Sequence, residues 1–276
     1  YGEKLESFDI KRFNKNIIDP IKLIFDKTVY RSSWEEMVGN EIFRQRDKSN
    51  NNDIGYFHQR IFQYIKNCHV PDNGKEGGWD VIFQSEDGIQ LPDGDMVHNV
   101  YVEMKNKHNT MNSASAGKTY IKMQSQLLSD DDCACFLVEA IAQQSQNIKW
   151  ETTVDGKKVS HKRIRRVSLD QFYALVTGEE DAFYQMCMVL PGMIQKVVDS
   201  GEDVKVPHDT VIQELRTLAN RADETNENLA MSIAVYLLGF NTYNGFSRLV
   251  GEAESTDANF LKRIYTYAKA INKDND

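Results

Sequence analysis

The sequence predicts an α/β fold, a mixed central sheet flanked by helices, with further helical segments toward both ends. Three observations predict it. The apolar period switches from helical to alternating near residue 79 and back to helical near residue 113. Residues 133–141 form an apolar run, as expected of a central strand covered on both faces. Asp155-Gly156 stands between Thr152-Thr153-Val154 and Lys157-Lys158-Val159, a strong hairpin signal.

Taken in order, residues 8–30 read as an opening helical region interrupted at Asp19-Pro20. Ser33 and Glu36 have the spacing of a capping box. The helix they start runs through Met37, Val38, Ile42 and Phe43 and stops at the polar run 47–53. Ile54, Phe57, Ile61, Phe62 and Ile65 then recur at helical spacing. After a glycine-rich loop at 71–78, strands are expected at 79–84 and 99–104. The loop between them carries the turn signals Asp87-Gly88 and Pro92-Asp93-Gly94. Residues 113–129 read as a helix with Tyr120, Met123, Leu127 and Leu128 on its apolar side. Ser168 with Gln171 starts another helix, which Gly178 ends. Helices at 211–222, 228–238 and 259–271 follow. The implied division is a helical region at 1–33, a core at 34–178 and a helical region at 179–276.

Composition narrows the function classes. Of 276 residues, 41% are hydrophobic and 27% charged, an ordinary globular balance. No apolar run is long enough for a transmembrane helix, and residues 1–12 lack the apolar stretch of a secretion signal. Four scattered cysteines make neither a disulfide framework nor a zinc site; structural thiols in a reduced cytoplasm are expected. The net charge of −8, taken as a sum, argues against nucleic acid. Its distribution argues the other way, because phosphates respond to the local field. Segments 104–129 and 156–169 hold no carboxylate, yet contain Lys105, Lys107, Lys118 and Lys122, and then Lys157, Lys158, Lys162, Arg163, Arg165 and Arg166.

The chemistry is concentrated in residues 100–105. On a strand, Val100, Val102 and Met104 face one side, and Tyr101, Glu103 and Lys105 the other. If the two strands pair, Asp80 and Glu103 converge. Converging carboxylates repel unless a cation sits between them, and hard Mg²⁺ prefers such oxygens together with retained waters. The ion can polarise a phosphodiester and lower the pKa of water, while Lys105 orients the nucleophile and offsets charge on the phosphate. The spacing alone also suits a solvated strand edge. Asn106, His108, Asn109, Thr110, Asn112, Ser113 and Ser115 follow at once, short side chains suited to phosphates and base edges.

Asp80 followed by Glu103-Met104-Lys105 resembles the PD-(D/E)XK nuclease motif. The run from Val102 to Ser113 (Val-Glu-Met-Lys-Asn-Lys-His-Asn-Thr-Met-Asn-Ser) is more specific. It resembles type II restriction endonucleases of the SinI kind, which cut double-stranded DNA at GGNCC or GGWCC. Segments 13–20, 55–62, 118–126 and 163–178 look similar too, and the likeness fades toward the C-terminus. Trp79 stands where the motif has proline. The resemblance implies a PD-(D/E)XK restriction-endonuclease-like core, with Asp80 and Glu103 on Mg²⁺ and Lys105 serving the attacking water. It also implies a polar residue from a preceding helix, Glu41 or Gln59 with His58 a weaker candidate, and a glutamine from the following one, Gln124.

Reading a G·C-rich site calls for donors to guanine O6 and N7, best supplied by arginine or lysine. Lys107, His108, Asn109, Asn112, Ser113, Ser115, Lys118 and Lys122 are expected near the scissile phosphate, and His161, Arg163 and Arg165 on the basic hairpin. Arg163 and Arg165 share one strand face, Lys162 and Arg166 the other. A near-palindromic target favours a homodimer. Leu229, Ile233, Tyr236 and Leu237 form a stripe for that interface or for the chain's own core. The rival expectations are a repair or junction nuclease of the same fold, a DNA-binding module without catalysis, and an acidic protein-interaction domain.

Overall fold

The computed structural model describes residues 9–16, 19, 22, 25–26, 29–200 and 209–222. The proposed helices at 228–238 and 259–271, with the Leu229–Leu237 stripe, lie outside the described residues. The chain forms two compact units, Tyr1–Ser49 with Val197–Asp276, and Asn50–Lys196.

In the first unit, α1 (Ile10–Asn14) meets α6 (Val211–Ala222). The first half of α2 (Trp34–Arg60) belongs here too, and its second half to the other unit. The capping box starts α2: the Glu36 N–H donates to Ser33 Oγ at 3.1 Å, and the Ser33 N–H to Glu36 Oε2 at 2.7 Å. The expected break at 47–53 does not occur; α2 is continuous. Those residues include neither proline nor glycine, so solvent-facing polarity alone does not end the helix.

The second unit is built on a six-stranded sheet in the order β1-β2-β3-β4-β6-β5. Its strands are β1 (Cys68–His69), β2 (Val81–Gln90), β3 (Met96–Lys107), β4 (Cys133–Ile141), β5 (Asn147–Val154) and β6 (Lys157–Ser168). β3, β4 and β6 run parallel, and β2 and β5 are antiparallel to their neighbours, so the sheet is mixed. β2 and β3 extend further than expected. Pro92-Asp93-Gly94 is the turn, whereas Asp87-Gly88 makes an irregularity within β2, where the register shifts between Gln84 and Ile89. The Asp155-Gly156 hairpin forms, with both residues at positive φ (48° and 75°).

Each sheet face is sealed by one helical layer. α3 (Ser113–Ser129) covers one face, with Tyr120 and Met123 packed on Cys135, Leu137, Trp150 and Ile164. α4 (Leu169–Thr177) covers the other, where Phe172 and Tyr173 meet Val100, Val102, Met104 and Phe136. α5 (Ala182–Asp199) adds Phe183 and Met186 to that second layer. β4, between the two, is buried from Cys133 to Glu139. Among the described residues no helix is long and apolar enough to cross a membrane.

Candidate active site

The site grows out of the β2–β3 pairing. The Asp80 N–H donates to the Val102 carbonyl at 2.9 Å, one step before the Val81–Val102 pair, so Asp80 stands beside Glu103. Its side chain is fixed as well, because Oδ2 accepts the Met104 N–H at 2.6 Å. Along β3 the pleat sends Val100, Val102 and Met104 into the α4 layer and leaves Glu103 and Lys105 on the α3 side.

Glu103 lies between two ammonium groups. Lys105 Nζ donates to Oε1 at 2.6 Å, and Lys122 Nζ, from α3, to Oε2 at 2.9 Å. Lys122 is itself anchored, donating to the Gly78 carbonyl at 2.8 Å and lying 4.0 Å from the Trp79 ring centroid. Gly78 has φ 68°, a conformation glycine adopts without strain. One turn beyond Lys122, Gln126 Oε1 accepts the Trp79 indole N–H at 3.3 Å. Trp79 thus braces the α3 face that carries Lys122.

The two carboxyls are pushed in opposite directions. Burial raises the Asp80 pKa, the Met104 N–H opposes that, and the neighbouring Glu103 charge raises it again. Burial also works to raise Glu103, but hydrogen bonds from Lys105 and Lys122 outweigh it and the net shift is downward. The donor set suits a small hard cation. Asp80 and Glu103 match an ion that takes one or two carboxylates and keeps its waters, and such an ion would take a Glu103 oxygen in place of one of the two ammonium groups. Among the described residues no cluster of three or more histidine, cysteine, aspartate or glutamate side chains offers a fuller metal cage.

A cleft of about 270 Å³ opens on this face, lined by Lys105, Asn109, Ser113, Glu139, Thr152 and Arg166 among others. Asn112 caps α3 by accepting the Ser115 N–H at 2.9 Å, so the helix N-terminus points toward residues that line the cleft. Lys107, Ser115 and Lys118 are exposed. His108 is drawn instead into a buried group, with Nδ1 3.1 Å from Glu139 Oε2 and 2.7 Å from an Arg166 nitrogen.

Other expected residues stand elsewhere. Gln124 is exposed and two residues beyond Lys122, roughly 200° around the helix from it. Lys122, expected to touch DNA, is the α3 residue that reaches Glu103. Glu41 lies in the first unit, where Arg44 and Gln45 take up both its carboxylate oxygens. Gln59 is one turn on from Gly55, on the side of α2 that approaches Asn106. His58 is half-buried, and its pKa is lowered by that burial. His161 Nδ1 accepts the Arg163 N–H at 3.2 Å on the exposed hairpin.

Arg163 and Arg165, expected on the basic hairpin, stand away from the carboxylate pair. They lie on the same side of β6 as Val167, which packs in the α4 layer, and hence on the sheet face away from Glu103. Arg163 Nε donates to Asp95 Oδ2 at 3.0 Å. Arg165 is buried, donates to Asn147 and faces Asp93 at 3.6 Å. Neither guanidinium is presented beside the candidate site. Glu139, hidden in an apolar run and lining the same cleft, was not singled out from sequence, and Arg166 was read only as one of several basic residues of the hairpin, with its strand parity but not its working face.

Comparison with known proteins decides the family. The family model of the Eco47II restriction endonuclease matches residues 1–199. The chain belongs to the Eco47II restriction endonuclease family. The type II restriction enzyme Sau96I of Staphylococcus aureus is 31% identical over 199 residues, 69% of this chain and 71% of that protein. The type II restriction enzyme Eco47II of Escherichia coli is 28% identical over 199 residues, 68% of this chain and 76% of that protein. The chain is thus a type II restriction endonuclease, a hydrolase of DNA within a restriction-modification system. The family span takes in every strand of the sheet and both carboxylates of the site. Type II restriction endonucleases generally work with a divalent metal.

Proposed function

We propose that this restriction endonuclease cuts double-stranded DNA at a short palindromic G·C-rich site of the GGNCC or GGWCC type. Mg²⁺ is the cofactor, two copies act together, and the reaction takes place in the prokaryotic cytoplasm. One observation carries the catalytic part: Asp80 is locked beside Glu103, and Glu103 is held by both Lys105 and Lys122. The target class rests on the likeness of residues 102–113 to the SinI-like enzymes.

Bound Mg²⁺ supplies Lewis acidity toward the phosphodiester and makes its water more acidic. Asp80 and Glu103 are the residues to hold it. Lys105 orients the attacking water, and its ammonium offsets charge gathering on the phosphate. Lys122 fixes Glu103 from the helix side. Asn109, Ser113 and the α3 N-terminus offer donors to the sugar-phosphate backbone, with Lys107 and Lys118 at its flank.

The test is to digest mixed-sequence DNA with Mg²⁺ and sequence the ends of the products. Expected is one short palindrome at every end and no cutting by Glu103→Ala. Smears, or ends that follow DNA structure instead of sequence, point to a repair-type nuclease. Discrete cutting that survives Glu103→Ala removes the carboxylate site from the reaction.

A further inference from the structure

The best-built group outside the Asp80–Glu103 pair is Glu139, Arg166 and His108, and this inference rests on the DNA-cutting reading above. Register places it. Lys105 pairs with Glu139 across β3–β4, and Leu137 with Arg166 across β4–β6. Arg166 lies on the side of β6 that carries Ile164, the α3 side, two strands across and two residues along from Lys105, or about 12 Å. Both line the same cleft. Of the arginines at 163, 165 and 166, only Arg166 faces it.

The guanidinium is held from behind. Glu139 is 1% exposed and its Oε1 accepts from Arg166 Nη2; His108 Nδ1 lies 2.7 Å from that same nitrogen. The Arg166 Nε is buried and without a partner, and Nη1 has no acceptor among the described residues. Nη2 is thus taken up and Nε closed off, and Nη1 is the amino group left oriented with both hydrogens unused.

We propose that Arg166 is a specificity-determining residue that reads a guanine through O6 and N7, with Glu139 and His108 as its positioning residues. Two features favour a base edge over a phosphate. Guanine alone offers two adjacent acceptors in the major groove, which the two hydrogens of Nη1 can meet together as a lysine ammonium does. A buried carboxylate against the guanidinium cancels its net charge, which weakens attraction to a phosphate yet leaves directional donors for a neutral base.

The experiment uses the full chain with Ca²⁺ in place of Mg²⁺, so that binding is read without cutting. Probes are short duplexes containing the site found by end-sequencing, each with one guanine replaced by 7-deazaguanine, which lacks N7. The unaltered enzyme is expected to lose roughly 5- to 150-fold in affinity at one such guanine. Arg166→Gln should bind the natural duplex more weakly by a similar factor and lose nothing more at that guanine. Because Arg166→Gln strands a buried carboxylate, the neutral pair Glu139→Gln/Arg166→Gln is run beside it, with the same result expected. Equal weakening of every duplex by either variant makes Arg166 a phosphate contact and overturns the proposal. So does a neutral pair that folds and keeps the deaza penalty. If the unaltered enzyme neither cuts nor selects among duplexes, the nuclease reading itself falls, an outcome seen before any variant is made.

Discussion

At Asp80, burial and the adjacent Glu103 charge raise the carboxyl pKa while the Met104 N–H pulls the other way. The folded chain therefore holds this proton more tightly than the unfolded one. Such a group stabilises fully below the unfolded value, about 3.9, and that contribution is lost as pH rises through the folded value. Asp80→Asn keeps an oxygen for the Met104 N–H and removes the titration. In EDTA, the variant should melt progressively higher than the unaltered chain as pH goes from about 3.5 to 7. A melting difference that stays flat across that range contradicts the assignment. Lys122 invites a second substitution. Lys122→Met keeps an apolar stem over Trp79 but removes the hydrogen bonds to Glu103 and Gly78. A hydrogen bond to a charged group contributes about 1.5–3 kcal/mol, so single-turnover cleavage should slow by roughly 10- to 150-fold. Gln124→Ala should change the rate by less than about 2-fold, since it faces away from that group.

At the scale of elements, α3 carries the coupling between sheet and site. It packs on β5 through Tyr120 and Trp150, ring centroids 5.4 Å apart, and on β4 through Met123. Gly117 sits in that interface, and a methyl group there would meet only the Thr153 carbonyl oxygen, at 3.6 Å. That is ordinary contact, so Gly117→Ala should gain about 0.5–1 kcal/mol of stability from helix propensity. Gly117→Leu should lose about 1–3 kcal/mol by overpacking. Urea denaturation of both variants checks the pair, and a destabilising alanine would show that backbone clearance is tighter than it looks. This interface also marks what sequence could and could not reveal. Alternation in β3 separates Glu103 and Lys105 from Val102 and Met104 without any tertiary knowledge, and the Asp155-Gly156 turn fixes the hairpin locally. Parity alone, however, says which residues share a face and not which face is the working one. That is why the sequence separates Arg163 and Arg165 from Arg166 but does not choose between the two faces. Lys122 and Gln124 are equally plausible on a helical wheel until Trp79 and Gly78 choose between them. The unbroken α2 was hidden because polar residues are compatible with both loop and exposed helix.

At the scale of the whole molecule, the question is how a chain of net charge −8 engages DNA, and how it cuts both strands. At about 0.1 M salt the Debye length is near 10 Å, so phosphates at the cleft sense Lys105, Lys107, Lys118 and Lys122 more than the distant acids. Each chain holds one Asp80–Glu103 pair, which on the proposed mechanism serves one strand at a time. A palindrome presents two equivalent scissile phosphates related by a twofold axis, and a homodimer with the same axis places one pair at each. Sedimentation should then give about twice the 31.7 kDa chain mass, and supercoiled plasmid should pass to linear form with little nicked circle accumulating. A monomer in solution that nicks first, and linearises only as protein concentration rises, would mean that the twofold assembly forms on the DNA. A monomer whose linearisation does not depend on its concentration would remove the dimer altogether, because a single carboxylate pair would then have to serve both strands in turn.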